Sequence, residues 1–178
     1  MNSSVQTKRM AFSAILTGIS VVFILGAVFL PSGRIASLAL SGVPILYLDL
    51  ALGRRYSLLA FLAAGLLSLL CGSLAVTAAY TLFFGCYPIV KDHLQAFFHK
   101  KKKTQLLLKF LFFYGMMLLL GVLALKFFIL MPLSAFTPLN IAAAILGGGI
   151  VFYLYDRALG RVGAMLFFRL RKYTDQLL

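Results

Sequence analysis

The chain has 178 residues, 62% of them hydrophobic, and carries 17 Lys and Arg against four acids, for a formal net charge of +13. A soluble domain is about a quarter charged and no more than about half apolar; at 12% charged, this composition excludes a water-soluble globule, a disordered tail and a collagen-like fibre. With a mean hydropathy of +1.02 and ~20 residues needed per span, the chain reads as an all-α integral membrane protein with room for five or six helices.

The first apolar run spans residues 10–30, after Lys8 and Arg9 and before Pro31-Ser32-Gly33. A basic stretch ahead of an apolar run also describes a signal peptide, but the run is long for one and no small-residue cleavage site follows, so it reads as a retained span. The second span covers 35–52, with Pro44 inside it predicting a kink or break, and stops at Gly53-Arg54-Arg55. Residues 56–71 and 74–90 form one long apolar stretch. A single helix there would far exceed a bilayer, so a hairpin turning at Gly72-Ser73 is expected. Val90, Leu94 and Phe97 fall at helical spacing, which predicts an interfacial amphipathic segment over 90–99. Four lysines, Lys100 to Lys103, follow it. The last two spans are 106–130 and 139–160, joined by a short uncharged loop, and the chain ends in a basic tail.

Charge sets the orientation. With the N-terminus in the cytoplasm, the inner segments collect the cations and leave only Arg34 and Lys126, of the 17, on the outer side. The positive-inside rule applies because every connecting stretch is short. An odd number of spans would put a charged end on the wrong side. The expectation is therefore a single transmembrane domain over 1–178, a multi-pass protein of the bacterial plasma membrane with six helices and both termini cytoplasmic. The dispersed cations then mark topology and contact with anionic lipid, and no nucleic-acid partner is expected.

Acids near a membrane are where chemistry is sought first. Asp49 lies ~21 Å along the second span and Asp156 ~25 Å along the sixth, both near the inner face. Asp49 is expected to pair with Arg54 or Arg55, and Asp156 with Arg157 or Arg161, as ion pairs holding the inner helix ends. Arg34, Thr137 and Asn140 are the candidates for an outer ligand site; in the alternative, Arg34 simply snorkels and Asn140 caps a helix. Gly147-Gly148-Gly149 serves close packing or lines a cavity. Small residues four apart, Ala14 and Gly18 on the first span and Ala60, Ala64 and Ser68 on the third, suit close helix approach, internally or to a partner helix. Cys71 and Cys86 sit in apolar runs as small hydrophobes. His93 and His99 have no thiol nearby, so neither a metal nor a cofactor is expected. The sequence has no glutamate, no H-E-x-x-H, no G-x-S-x-G and no P-loop, and no enzyme is expected.

Several features together resemble the substrate-binding S components of bacterial energy-coupling-factor (ECF) transporters: the length, the six-helix plan with both termini inside, the opening Lys8-Arg9-Met10-Ala11 followed by an Ala/Ser/Gly-bearing first helix, and a short second span containing Pro44. The stretch Leu82-Phe83-Phe84-Gly85-Cys86-Tyr87-Pro88-Ile89-Val90-Lys91, with Asn140 and Tyr155-Asp156 later, also looks like a group of six-span membrane proteins of Firmicutes-type bacteria. The resemblance implies a solute-binding subunit that works with a separate transmembrane coupling subunit and ATPase subunits. It also implies that a partner-helix face on the first helix is represented by Ala14 and Gly18, where the family has two alanines. The polar-poor outer loops point to an apolar small-molecule ligand. A second reading is a non-transporting membrane scaffold or assembly protein with a basic cytoplasmic face.

Overall fold

The computed structural model describes residues 3–30, 32–70, 73–97, 102–127 and 138–174. About 95% of them are helical, and there is no strand among them. The helices are α1 (Ser3–Phe29), α2 (Arg34–Leu52), α3 (Arg54–Leu69), α4 (Leu74–Ala79), α5 (Cys86–Phe97), α6 (Lys102–Phe127) and α7 (Pro138–Thr174). A π-helical turn, Tyr80–Phe84, joins α4 to α5, so the two run on as one rod. Among the described residues, four stretches are long and apolar enough to cross a membrane: Val5–Phe29, Arg34–Leu52, Leu74–Leu94 and Lys103–Val122. At 16 residues, α3 is short for a bilayer. With its 37 residues, α7 extends ~55 Å, well beyond the ~30 Å of a hydrocarbon layer.

The helix α2 is the hub, packing against α1, α3, α5 and α7, and it continues unbroken through the buried Pro44. One half of the core is built on small residues. Ala64 of α3 meets Ile24 and Ala27 of α1, Leu38 of α2, and Val76 and Tyr80. Ala60 meets Ile45 and Leu48 of α2 and Ile89 of α5. The stripe Ala60, Ala64, Ser68 is buried throughout, so on α3 the small side chains serve internal packing. The Thr77 hydroxyl donates to the Ser68 carbonyl across the α3–α4 hairpin at 2.8 Å. The other half is aromatic: α6 meets its neighbours mainly through rings, with Phe113 stacked on Phe152 of α7 at 4.4 Å and tilted against Phe83 at 5.6 Å.

Polarity is distributed the reverse of a water-soluble bundle. Ser13, Thr17, Ser20, Ser41, Ser57, Ser68 and Thr77 are buried, while Leu59, Leu62 and Leu66 of α3 and Leu107, Leu111 and Leu118 of α6 face outward. Most of the inward hydroxyls are satisfied within their own helix, as in Ser41 to the Leu38 carbonyl at 2.6 Å and Thr17 to the Ser13 carbonyl at 2.8 Å.

The α2–α3 turn is a single residue, Gly53, at φ 88° and ψ 171°, a backbone conformation open essentially to glycine alone. Gly53→Ala is expected to lower stability by about 1–3 kcal/mol. Gly18→Ala, at a site where an added methyl meets nothing within 4 Å, should stay within about 0.5 kcal/mol. Detergent-to-SDS unfolding of the two variants side by side reads the difference.

Candidate functional site

Three helices converge on one carboxylate. Tyr87 and Lys91 lie one turn apart on the same face of α5, Lys109 projects from α6, and Asp156 from α7. The Tyr87 hydroxyl donates to Asp156 Oδ1 at 2.5 Å. Lys91 Nζ lies 2.8 Å from the same oxygen and also donates to the Asp156 backbone carbonyl. Lys109 Nζ bridges both carboxylate oxygens, at 3.1 Å and 3.0 Å. Lys91 is 3% exposed and Lys109 6%, so neither ammonium is left to water. Room for Lys91 comes from Gly160, one turn beyond Asp156 on α7: a methyl there would stand 3.1 Å from Lys91 Nζ. The triad is the electrostatic tie of α6, which otherwise holds to α7 by rings.

These partners differ from the sequence-based expectation. Arg161 is exposed and Arg157 sits over the Tyr153 ring at 5.6 Å, while Asp156 draws its cations from two other helices. Near the Gly53 turn, Asp49 accepts a hydrogen bond from Ser57 at 2.6 Å, with Asp92 of α5 beside it, whereas Arg54 reaches His93 Nδ1 at 3.3 Å. Asp156 thus pairs with both Lys91 and Lys109.

Tyr87 connects the triad to a cavity of about 860 Å³. Its walls are the first two turns of α2, the π-turn with Phe83 and Phe84, Phe112, Phe113 and Met117 of α6, and the face of α7 from Gly148 to Ala158. Tyr87 belongs to both features: its ring lines the cavity and its hydroxyl is spent on Asp156. Arg34 and Ser32 border the cavity at the start of α2. Gly42, eight residues on and thus ~12 Å down the helix, lies at the level of Phe84 and Tyr155, which approach it closely. The cavity therefore runs from Arg34 down to the ring layer above the triad. The π-turn shapes this wall. The Gly85 amide donates to the Tyr80 carbonyl at 2.7 Å, five residues back, and Gly85 has no Cβ to obstruct the Phe61 and Tyr80 rings, which would lie 2.7–2.8 Å from one. Such turns recur at functional sites.

Of the expected outer site, Arg34 lines the cavity, Thr137 lies outside the described residues, and Asn140 is described only as backbone in the first turn of α7. The glycine triplet divides: Gly148 borders the cavity against Phe113, Gly149 faces the Tyr114 hydroxyl, and a Cβ added at Gly147 would meet nothing within 4 Å. Ala14 and Gly18 both face outward. The segment expected to be an interfacial helix over 90–99 continues α5 as far as Phe97, which is exposed, and residues 98 and 99 lie outside the described residues. The sequence did hold one signal for the triad. Lys109 lies inside the apolar span 106–130, and a cation within such a run calls for a named partner.

No family model, curated protein or solved structure matches this chain. Fold and site on their own define, among the described residues, an all-helical protein with four helices long and apolar enough to cross a membrane and an aromatic-walled cavity joined through Tyr87 to a buried ion triad.

Proposed function

We propose that this chain is a membrane-embedded, solute-binding subunit of a transporter, similar in plan to an ECF S component, with six helices across the bacterial plasma membrane and both termini in the cytoplasm. The cavity carries the reading. A volume of about 860 Å³ lies within the ~300–1,000 Å³ of small-molecule sites, and it borders Arg34, one of the two cations that the charge pattern assigns to the outer side. The inward hydroxyls and outward leucines support lipid as the solvent. A scaffold has no use for such a cavity.

The chain offers no P-loop, so energy would come from separate ATPase subunits through a transmembrane coupling subunit. The exposed Ala14 and Gly18 on α1 are the proposed contact. The test is gentle purification from the native membrane, followed by mass spectrometry of retained small molecules and of partners. The expected result is a bound small molecule and a co-purifying ATPase, with the ATPase lost from Ala14→Leu plus Gly18→Leu. A protein that retains no small molecule and brings only a structural partner contradicts the reading in favour of the scaffold.

A further inference from the structure

The cavity wall is chemically one-sided. Phe83, Phe84, Phe112, Phe113 and Met117 present only apolar surface. The Tyr87 hydroxyl is committed to Asp156, and the Tyr155 hydroxyl is buried near Gly42 with no hydrogen-bond partner, out of a ligand's reach. A solute rich in hydroxyls or amides would enter with its polar groups unpaired, which is unfavourable. An apolar body incurs no such cost.

At the other end the situation reverses. Arg34 is exposed at the cavity border, and among the described residues no carboxylate lies within ion-pair range of it. The first turn of α2 contains no acid. Asp49 is fifteen residues farther along, ~22 Å away on the same helix, and Asp156 is occupied by two lysines. Among the described residues, a guanidinium without a carboxylate partner therefore stands at the edge of an apolar chamber.

We propose that the cavity takes an amphipathic monoanion, a molecule with one carboxylate- or phosphate-type head at Arg34 and a long apolar body against the rings. This inference rests on the solute-binding reading above and names its substrate class. The same chemistry arises from a free amphipathic acid or from an anionic bilayer lipid.

Binding of labelled palmitate and labelled hexadecanol to the full chain in phosphatidylcholine nanodiscs tests it, because the two probes share a tail and differ in the head. Wild type is expected to prefer palmitate about tenfold or more. Arg34→Ala should bring that ratio to about one, and Arg34→Lys should restore part of it. Ala39→Phe, which fills the cavity from α2, should weaken both probes. Displacement of palmitate by phosphatidylglycerol identifies bilayer lipid as the source; displacement by oleate alone identifies a free acid. Equal binding of both probes to wild type, or an unchanged ratio in Arg34→Ala, overturns the anion assignment and leaves the solute-binding reading standing if Ala39→Phe still weakens both. Failure of both probes to bind, or indifference to Ala39→Phe, overturns both.

Discussion

Asp156→Ala is expected to cost about 3–5 kcal/mol of stability, among the largest effects of any single substitution, because it removes one partner of a buried ion cluster and leaves the rest in place. Lys91 and Lys109 would remain almost wholly buried as two ammoniums without a counter-charge, and the Tyr87 hydroxyl would lose its acceptor. The cost comes from stranded charge and not from the worth of the bond, so a second experiment separates the two. Replacing the whole triad, Asp156→Leu with Lys91→Met and Lys109→Met, removes every charge together. It is expected to recover most of the loss, since apolar groups of similar volume can replace a buried cluster at little or no cost. SDS-induced unfolding from detergent micelles measures all the variants. A single variant as stable as wild type would show that water or lipid headgroups already solvate these lysines.

Gly42→Ala is the second large effect. Gly42 is where α2 crosses the rod of α4 and α5. An added Cβ would collide with the Phe84 carbonyl oxygen, lie 2.9 Å from the Tyr155 hydroxyl and 3.2 Å from Pro88. A side chain can rotate away from such a clash, whereas a carbonyl held in a π-turn cannot. The helices must therefore separate, at about 1–3 kcal/mol for this one methyl, and Gly42→Val should cost more. Separation at this level also widens the cavity, so Gly42→Ala is expected to weaken retention of the proposed small-molecule ligand together with stability. Gly163→Ala makes the contrast: its added Cβ meets the Leu46 side chain, which can move, and the loss should be smaller.

Much of the helical plan was readable because the physics behind it is local. Apolar runs at 35–52 and 74–90 became α2 and the rod from α4 into α5, since a run of that length in lipid has few ways to satisfy its backbone other than as a helix. Helix ends were less readable. α1 starts at Ser3 and α7 continues to Thr174, because hydropathy marks where the solvent changes and not where the backbone stops being helical. The partners of Asp156 were not readable from neighbours in sequence. Arg157 is one residue on and therefore points ~100° around the helix, and Arg161 is more than a turn away; what meets the carboxylate depends on which helices flank α7. The same holds for the two small-residue stripes. Both have close-packing spacing, and only the placement of α3 against α1, α2 and α4 separates its buried Ala60 and Ala64 from the outward-facing Ala14 and Gly18. The π-turn left no periodic signal, because a single inserted residue alters register without altering composition.

In the proposed topology Arg34 and its cavity face outward and the lysine quartet faces the cytoplasm. The most direct measurement is labelling of intact cells with a membrane-impermeant maleimide, using single-cysteine variants in a background where Cys71 and Cys86 are replaced by serine. Arg34→Cys is predicted to label in intact cells, and Lys103→Cys only after the membrane is permeabilised. Labelling of Lys103→Cys in intact cells, with Arg34→Cys protected, would contradict the account.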